Sequence, residues 1–541
     1  MWTIPFIAFW VLFFVTVEGY VVNPGPLVVA TRGEVWPKPQ SQNSSENYFI
    51  LRPKQFQFKV NDASCEILEN AFERYWKILQ ENSVPESVKA YASRTRAWLQ
   101  DVSFLGYIDE LNVTLRGRCE DNEFPSNDVV EEYTLQIAKG NFELSATTIW
   151  GVLRGLETFS QLSYYSKDEE YLRVNATIIV DYPRFKYRGL LLDTSRHFIP
   201  LNLVKLTLDA MSYNKLNVFH WHIVDDQSFP YVSRTFPELS EQGAYNPHTH
   251  VYNPDDVQTV IEYGRQRGIR VLPEFDTPGH TRSWGVSHPE LLSPCYVDDH
   301  GRIYETGNYG PIDPTRNETY PFIQKLFAEV REVFQDKFIH LGGDEVEFEC
   351  WENNPTIERF MQKNNITTYE ELESYYIKKV IDMVDDIGFD SIVWEEVFVN
   401  GVQTPNNTII HVWRDNWMDT MYAVTKAGKN AILSACWYLD HLETGGDWEK
   451  YYLCEPYNYG GSAAQNKLII GGEACMWGET INEYNVIPRV WPRASAVAER
   501  LWSSSFVFDS IEAAKRLEEQ TCRMNRRGIT AQPPNGPGFC E

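Results

Sequence analysis

The stretch His340–Trp351 reads HLGGDEVEFECW. Asp344 and Glu345 stand side by side behind Gly342 and Gly343, at the end of an apolar run. Adjacent residues on a strand face opposite sides, so a regular strand aims only one of two neighbouring acids at a ligand. The glycines let the chain bend as the strand ends, which allows both carboxylates to reach one small group. Seven other short β-rich runs close in the same manner, apolar first and then charged or aromatic. Their ends are Arg196 and His197, Asp225 and Asp226, Asp276 and His280, Trp394 to Glu396, Trp413 and Arg414, Tyr438 and Asp440, and Trp477 and Glu479. Acids, an arginine and aromatic rings collected at strand ends suit a site that binds and transfers protons.

The eight runs are Tyr187–His197, Leu216–Asp226, Ile269–His280, Lys337–Glu345, Ser391–Phe398, Thr408–Arg414, Ala431–Asp440 and Leu468–Glu479. Helical stretches lie between them. In one, Ile377, Val380, Ile381 and Val384 share a face. Parallel strands need crossovers, and eight close a sheet, so the pattern predicts a (β/α)8 barrel over residues 185–541. Its closing helix is expected in Asp509–Gly528. Active sites of such barrels lie at the carboxyl ends of the strands. Residues 20–184 read as a smaller, non-catalytic α/β domain, with a hairpin in Glu131–Ala146 and a helix in Thr148–Tyr165. The junction falls in Asp181–Gly189.

The chain has 541 residues, enough for more than one domain. Its 49 basic and 75 acidic residues leave a net charge of −26, which repels phosphate backbones and argues against a nucleic-acid partner. Aromatics reach 14%, with 17 Trp, a supply suited to sugar-stacking surfaces. Residues 1–19 read as a secretory signal: the apolar run from Trp2 to Val17 is short for a membrane span, and no later run is long and apolar enough. Secretion predicts oxidised cysteines and glycans. There are nine Cys, so at least one is unpaired. Sequons begin at Asn43, Asn112, Asn175, Asn317, Asn365 and Asn406. The expected location is the secretory pathway, ending in the lysosome or outside the cell. No metal or cofactor is expected. His220 and His222 share a strand face but lack a ligand set with zinc spacing, and there is no phosphate-binding loop.

The strings HLGGDEV, HWHIVDD, EFDTPGH, GGEACMWGE and WPRASAVAERLW resemble family 20 glycoside hydrolases, and most of all the lysosomal-type β-N-acetylhexosaminidases of animals. The resemblance implies an exo-acting, retaining enzyme whose substrate supplies the nucleophile, its own 2-acetamido oxygen. It makes Glu345 the general acid and then base, and Asp344 the group that orients the acetamido N–H. Tyr438 would donate to the acetamido oxygen. Trp394, Trp413 and Trp477 would box the acetamido methyl, Arg196 and Glu479 would hold sugar hydroxyls, and Asp225 and His280 would form a polar pair beside the acid. Partners are then glycans ending in β-GlcNAc or β-GalNAc, and a homodimer is implied. Asp440 resembles the β-type chains of the family; α-type chains carry Asn there and Arg at the place of His441. The resemblance also pairs Cys65 with Cys119, Cys295 with Cys350 and Cys522 with Cys540. Cys436 and Cys454 flank the loop of the seventh strand and are expected to pair with each other, leaving Cys475 free. Two other readings compete. A family 18 chitinase needs a DxxDxDxE strand, which does not occur. A carbohydrate-recognition protein on the same fold predicts loss of Glu345 or Tyr438, and both are present.

Overall fold

The computed structural model describes residues 27–61, 64–81, 101–165, 171–300, 302–441 and 446–540. The expected signal segment, residues 1–19, lies outside them. Eight parallel strands close into a barrel: β1 Tyr187–Asp193, β2 Val218–His222, β3 Arg270–Glu274, β4 Phe338–His340, β5 Asp390–Trp394, β6 Ile409–Val412, β7 Asn430–Leu433 and β8 Ile469–Met476. β8 returns to pair with β1, Cys475 opposite Leu191. The eight strands coincide with the eight runs. Helices such as Leu201–Tyr213, Pro254–Arg265, Thr319–Val333 and Tyr369–Asp386 wrap the outside. The apolar stripe of the last, Ile377, Val380, Ile381 and Val384, is buried. After β5 the crossover helix shrinks to Glu395–Val399. The closing helix is Ser510–Arg526.

Side chains fill the barrel in tiers, because alternate residues of each strand point inward. At the bottom, Tyr187, Val218, Leu272, Phe338, Ile392, Ile409, Ile432 and Ile470 form an apolar plug with one residue from every strand. Further along come His220, Glu274, His340, His411 and Glu473, all fully buried. Above them lie Leu191, Trp394, Cys475 and Trp477, with Trp413 and Tyr438 against them. Most such barrels are packed with branched aliphatics throughout. Here the middle tier is ionisable.

Among the described residues, the smaller domain is a mixed sheet carrying the helices Glu66–Glu81 and Ile149–Leu162. The hairpin strands Tyr133–Ala138 and Asn141–Ala146 pair antiparallel in it. Helix Ile149–Leu162 has every residue buried, because the sheet covers one side and the barrel the other. Thr148 caps its start by accepting from Gly151 N. Arg154 on this helix donates to the backbone oxygens of Arg267 and Gly268 of the barrel, at 3.2 and 2.8 Å, and its Nε lies 2.8 Å from Glu131. Arg188, at the start of β1, reaches the same carboxylate at 2.7 Å. The segment from Leu27 runs along the barrel's last helices. Leu27 N donates to Pro537 O, and the indole of Trp36 donates to Ser495 O.

Sulfur–sulfur bonds join Cys65 to Cys119, Cys295 to Cys350, Cys436 to Cys454 and Cys522 to Cys540, and Cys475 is buried and free. The second bond ties the segment after β4 to a hairpin not foreseen in the sequence, Leu292–Asp299 with Arg302–Ile312. Of the sequon asparagines, Asn43, Asn112, Asn317, Asn365 and Asn406 are exposed. Asn175 is half-buried and its amide oxygen accepts from Tyr164. Among the described residues no helix is long and apolar enough to cross a membrane.

Candidate active site

β4 ends at His340, and the chain then turns sharply. Gly342 has φ +68° and Gly343 φ +90°, a region that suits glycine. Space is as restrictive as angle. A Cβ on Gly342 would lie 1.6 Å from Asp276 Oδ1, and one on Gly343 2.6 Å from Val397 Cγ2. Gly343 N donates to Asp276 Oδ1 at 2.9 Å. Glu345 itself takes φ +46°. The turn separates the two acids by environment while aiming them at one partner. Asp344 is buried, and the Glu345 side chain is 58% exposed. His280 Nε2 lies 3.7 Å from Asp344 Oδ2 and 3.8 Å from Glu345 Oε2.

His280 is the centre of this group. Its Nδ1 lies 3.4 Å from Asp225 Oδ1, and its Nε2 4.0 Å from Asp276. Burial favours the neutral ring, but Asp276, Asp344 and Asp225 override it and hold the imidazolium well above the ordinary histidine range. Asp276 departs from the usual carboxyl range in the upward direction: burial, then the Asp344 charge, push it well up, with the His280 charge opposing them.

Arg196 closes the other side. Its Nη2 lies 2.8 Å from Asp225 Oδ2 and its Nη1 3.0 Å from Asp193 Oδ2. Asp193 also accepts from the backbone of Ser195, Arg196 and Gly478. Asp225 receives His222 Nε2 at 2.8 Å. Burial works against the Asp225 carboxylate, yet its bonds to His222 and His280 and the Arg196 charge hold it far below its usual range. Glu479 is exposed at the rim, close enough to add to the field at Arg196.

The aromatic tier forms the remaining wall. Trp394 packs against Trp413 at 6.5 Å and 71°, and against Trp477 at 5.9 Å. Tyr438 stacks on Trp413 at 5.8 Å and 21° and lies 6.4 Å from Trp477. Burial pushes the Tyr438 phenol well above its usual range, so its hydroxyl stays a donor. Two of the indoles are held by carboxylates. Trp394 Nε1 donates to Glu274 Oε1 at 2.9 Å, and Trp413 Nε1 to Glu396 Oε2 at 3.0 Å. Asp440 is half-buried, and its Oδ1 has no hydrogen-bond partner among the described residues. Burial raises its carboxyl, with Glu479 adding to the shift and His441 opposing it. His441 is exposed beside the Tyr438 ring, at 5.8 Å.

The structure thus brings together every candidate catalytic and substrate-binding residue singled out in the sequence. It adds others that sequence reasoning passed over. Glu274 accepts from Trp394 and pairs with His222 Nδ1, while His220 Nε2 and His340 Nδ1 lie 3.1 and 3.2 Å from it. Glu473 receives His220 Nδ1 at 2.7 Å and the Tyr187 hydroxyl at 2.6 Å. Burial alone would discharge His220 and His222. Glu473 and Glu274 raise the first to about 9, and Glu274 with Asp225 raises the second to about 10. His340 and His411 go down through burial and remain neutral. Asp193 belongs to the same network through Arg196. The signal for the inner tier was present in the sequence as His220 and His222, and as Glu274 and Asp276, each pair two apart at a strand end.

Several of these side chains have the types and closeness of metal ligands, namely Asp276 with His280 and Asp344, and His220 with Glu274 and His340 or with His411 and Glu473. In the inner tier, though, the carboxylates of Glu274 and Glu473 are already engaged by His222 and His220. Those contacts are ion-pair hydrogen bonds.

A sugar needs hydroxyl-gripping charges, an apolar face to lie on and an acid within reach of its glycosidic oxygen. The rim of this barrel offers all three, which defines the class as a (β/α)8-barrel glycoside hydrolase. The family model "Glycosyl hydrolase family 20, catalytic domain" matches residues 185–505, and "beta-acetyl hexosaminidase like" matches residues 35–162. The chain belongs to glycosyl hydrolase family 20. It is 47% identical over 517 residues to the beta-hexosaminidase subunit alpha of Rattus norvegicus, covering 94% of this chain and 95% of that one. It is 47% identical over 529 residues to the beta-hexosaminidase subunit beta of Homo sapiens, covering 96% and 90%. Among solved structures it resembles the Flavobacterium johnsoniae chitobiase, with a TM-score of 0.78 and 28% identity over 92% of this chain and 73% of that one.

Proposed function

We propose that this enzyme removes terminal β-linked GlcNAc or GalNAc from glycans with retention, and that the substrate's 2-acetamido oxygen is the nucleophile. The observation that carries this reading is the unequal placement of the two acids. Glu345 is open at the pocket mouth, while Asp344 is buried against Asp276 and His280. A retaining site with two protein carboxylates places them about 5–5.5 Å apart across the scissile bond, one of them free to attack. Asp344 is better placed to orient and charge-balance a group held deep in the pocket.

In this reading Glu345 protonates the leaving oxygen. The acetamido oxygen, steadied by the Tyr438 hydroxyl, closes on the anomeric carbon. Asp344 holds the acetamido N–H and balances the cationic ring that forms. Glu345 then takes a proton from water, which opens the ring with overall retention. Trp394, Trp413 and Trp477 surround the acetyl methyl, while Arg196 and Glu479 hold hydroxyls. Four disulfides suit an oxidising compartment, and we place the protein in the secretory pathway, in the lysosome or outside the cell. The family resemblance also supports a homodimer, which sedimentation would check.

The test is turnover of aryl β-GlcNAc, β-GalNAc and β-glucoside, with the product anomer followed by NMR. The expected result is a β-anomer from both N-acetyl sugars and no turnover of the glucoside. An α-anomer, or a trapped glycosyl ester on a carboxylate, would overturn the mechanism.

A further inference from the structure

Trp394 and Trp413 face the same pocket but are held differently. Trp394 is 1% exposed, and its N–H is fixed by a carboxylate inside the barrel. Its position is set by packing on all sides. Trp413 is only half-buried. Tyr438 covers one face and Trp394 meets it at an angle. Stacking alone allows an indole to slide and tilt, so something else must fix its edge.

That role falls to the short helix Glu395–Val399. Glu395 Oε2 accepts from the backbone N of Trp413 at 3.0 Å and of Arg414 at 3.3 Å. Glu396 Oε2 accepts from Trp413 Nε1 at 3.0 Å, and its Oε1 lies 2.6 Å from Arg414 Nη2. One acid anchors the main chain and the next anchors the ring. Glu396 is 5% exposed, a costly place for a carboxylate, and its two oxygens face two different partners.

We infer that Glu396 is a positioning residue: by holding the Trp413 indole it sets the width of the acyl pocket, and so selects an N-acetyl group over longer N-acyl groups. This rests on the assignment of the pocket to the acetamido group. In a well-fitted apolar pocket one extra methylene changes kcat/KM by roughly 10–200-fold. A tilting wall would give much of that discrimination away.

The experiment compares aryl N-acetyl- and N-propionyl-β-glucosaminides on the full-length wild type, Glu396→Gln and Glu396→Leu. The amide oxygen of Gln still accepts from the indole, and Leu cannot. Both substitutions remove the carboxyl whose charge couples to Asp344, so any effect of that charge on the chemistry is shared and cancels in the ratio of kcat/KM values. The expected acetyl-to-propionyl ratio for Glu396→Gln is within about twofold of wild type, and for Glu396→Leu at least about fivefold lower, a part of the single-methylene range. Glu396→Met serves in place of Leu if the latter does not fold, with the same expectation. A Leu or Met variant with the wild-type ratio overturns the inference, as does a Gln variant that relaxes as much as Leu. A wild type that turns over neither substrate overturns the functional reading, and this inference with it.

Discussion

Glu345 combines a left-handed backbone with an exposed carboxylate, and strain of this kind persists where the surroundings over-determine it. In the proposed mechanism, its replacement isolates the acid–base step. Glu345→Gln should lower kcat on a poor leaving group by about 10²–10⁴-fold, the usual worth of a positioned general acid. Binding of an oxazoline mimic should survive, because the walls of the pocket are untouched. Near-normal kcat would move the role elsewhere. At the outer edge, Asp440 carries a pH-dependent expectation. Its carboxyl is raised by burial, then by Glu479, so at acidic pH part of the population is neutral. As pH rises through that raised value the carboxylate forms and, in the proposed binding mode, would face an anion on the sugar's outer edge. Two charges about 4 Å apart interact by about 4 kcal/mol at an effective dielectric of 20. A quarter of that is about fivefold in rate. Preference for GlcNAc over GlcNAc-6-sulfate should therefore grow with pH in the wild type and grow less in Asp440→Asn. Equal pH profiles for the two proteins would remove Asp440 from this role.

At the scale of elements, the turn after β4 is the part that makes two neighbouring acids useful. Gly343→Ala adds a Cβ 2.6 Å from Val397 Cγ2 at φ +90°. The expected loss is about 1–3 kcal/mol of stability, read by thermal or urea unfolding. Turnover per folded molecule should fall further, since Asp344 and Glu345 move with the turn. Full specific activity in a stable variant would contradict this. The eight strands were legible because each apolar run gives way to polar or aromatic residues at the rim. The inner tier was harder to read. Glu274 and Glu473 sit in largely apolar runs, and only barrel closure brings them against His220 and His340. The hairpin Leu292–Asp299 with Arg302–Ile312 was missed because its first strand is buried only at its start, its second is largely exposed, and neither shows an alternating buried face. Glu396 was visible as a strand-end acid, but its bond to Trp413 depends on how β5 and β6 pair.

For the whole molecule, Glu131 is the joint between the two domains. It is buried with Arg154 and Arg188, and burial would raise its carboxyl, but the two arginine charges prevail and hold it below its usual range. Removing one partner of a buried pair leaves an uncompensated charge and costs about 3–5 kcal/mol. Glu131→Ala should lower stability by that amount, read by denaturant unfolding, without direct contact with the site. Because the folded value is depressed, the contribution is present above the unfolded carboxyl value, near 4.3, and is lost as pH falls through the folded value. The difference between wild type and Glu131→Ala should accordingly hold near pH 5 and shrink only in stronger acid. A difference that already disappears at about pH 5 would mean that the arginines do not hold the carboxylate.

The contact between Leu27 and Pro537 has a consequence for biosynthesis. The segment from Leu27 to Trp36 leaves the ribosome long before its seat, on the helices at Arg493–Trp502 and Ser510–Arg526, is made. The same delay applies to helix Ile149–Leu162, whose second apolar side waits for the barrel. Native packing of the Leu27–Trp36 segment therefore waits until the helices of its seat have been made, and a nascent chain carries uncovered apolar surface until then. Pulse-labelled chains should become protease-resistant only once Ser510–Arg526 has been made, and nascent chains arrested before Ser510 should stay bound to chaperones.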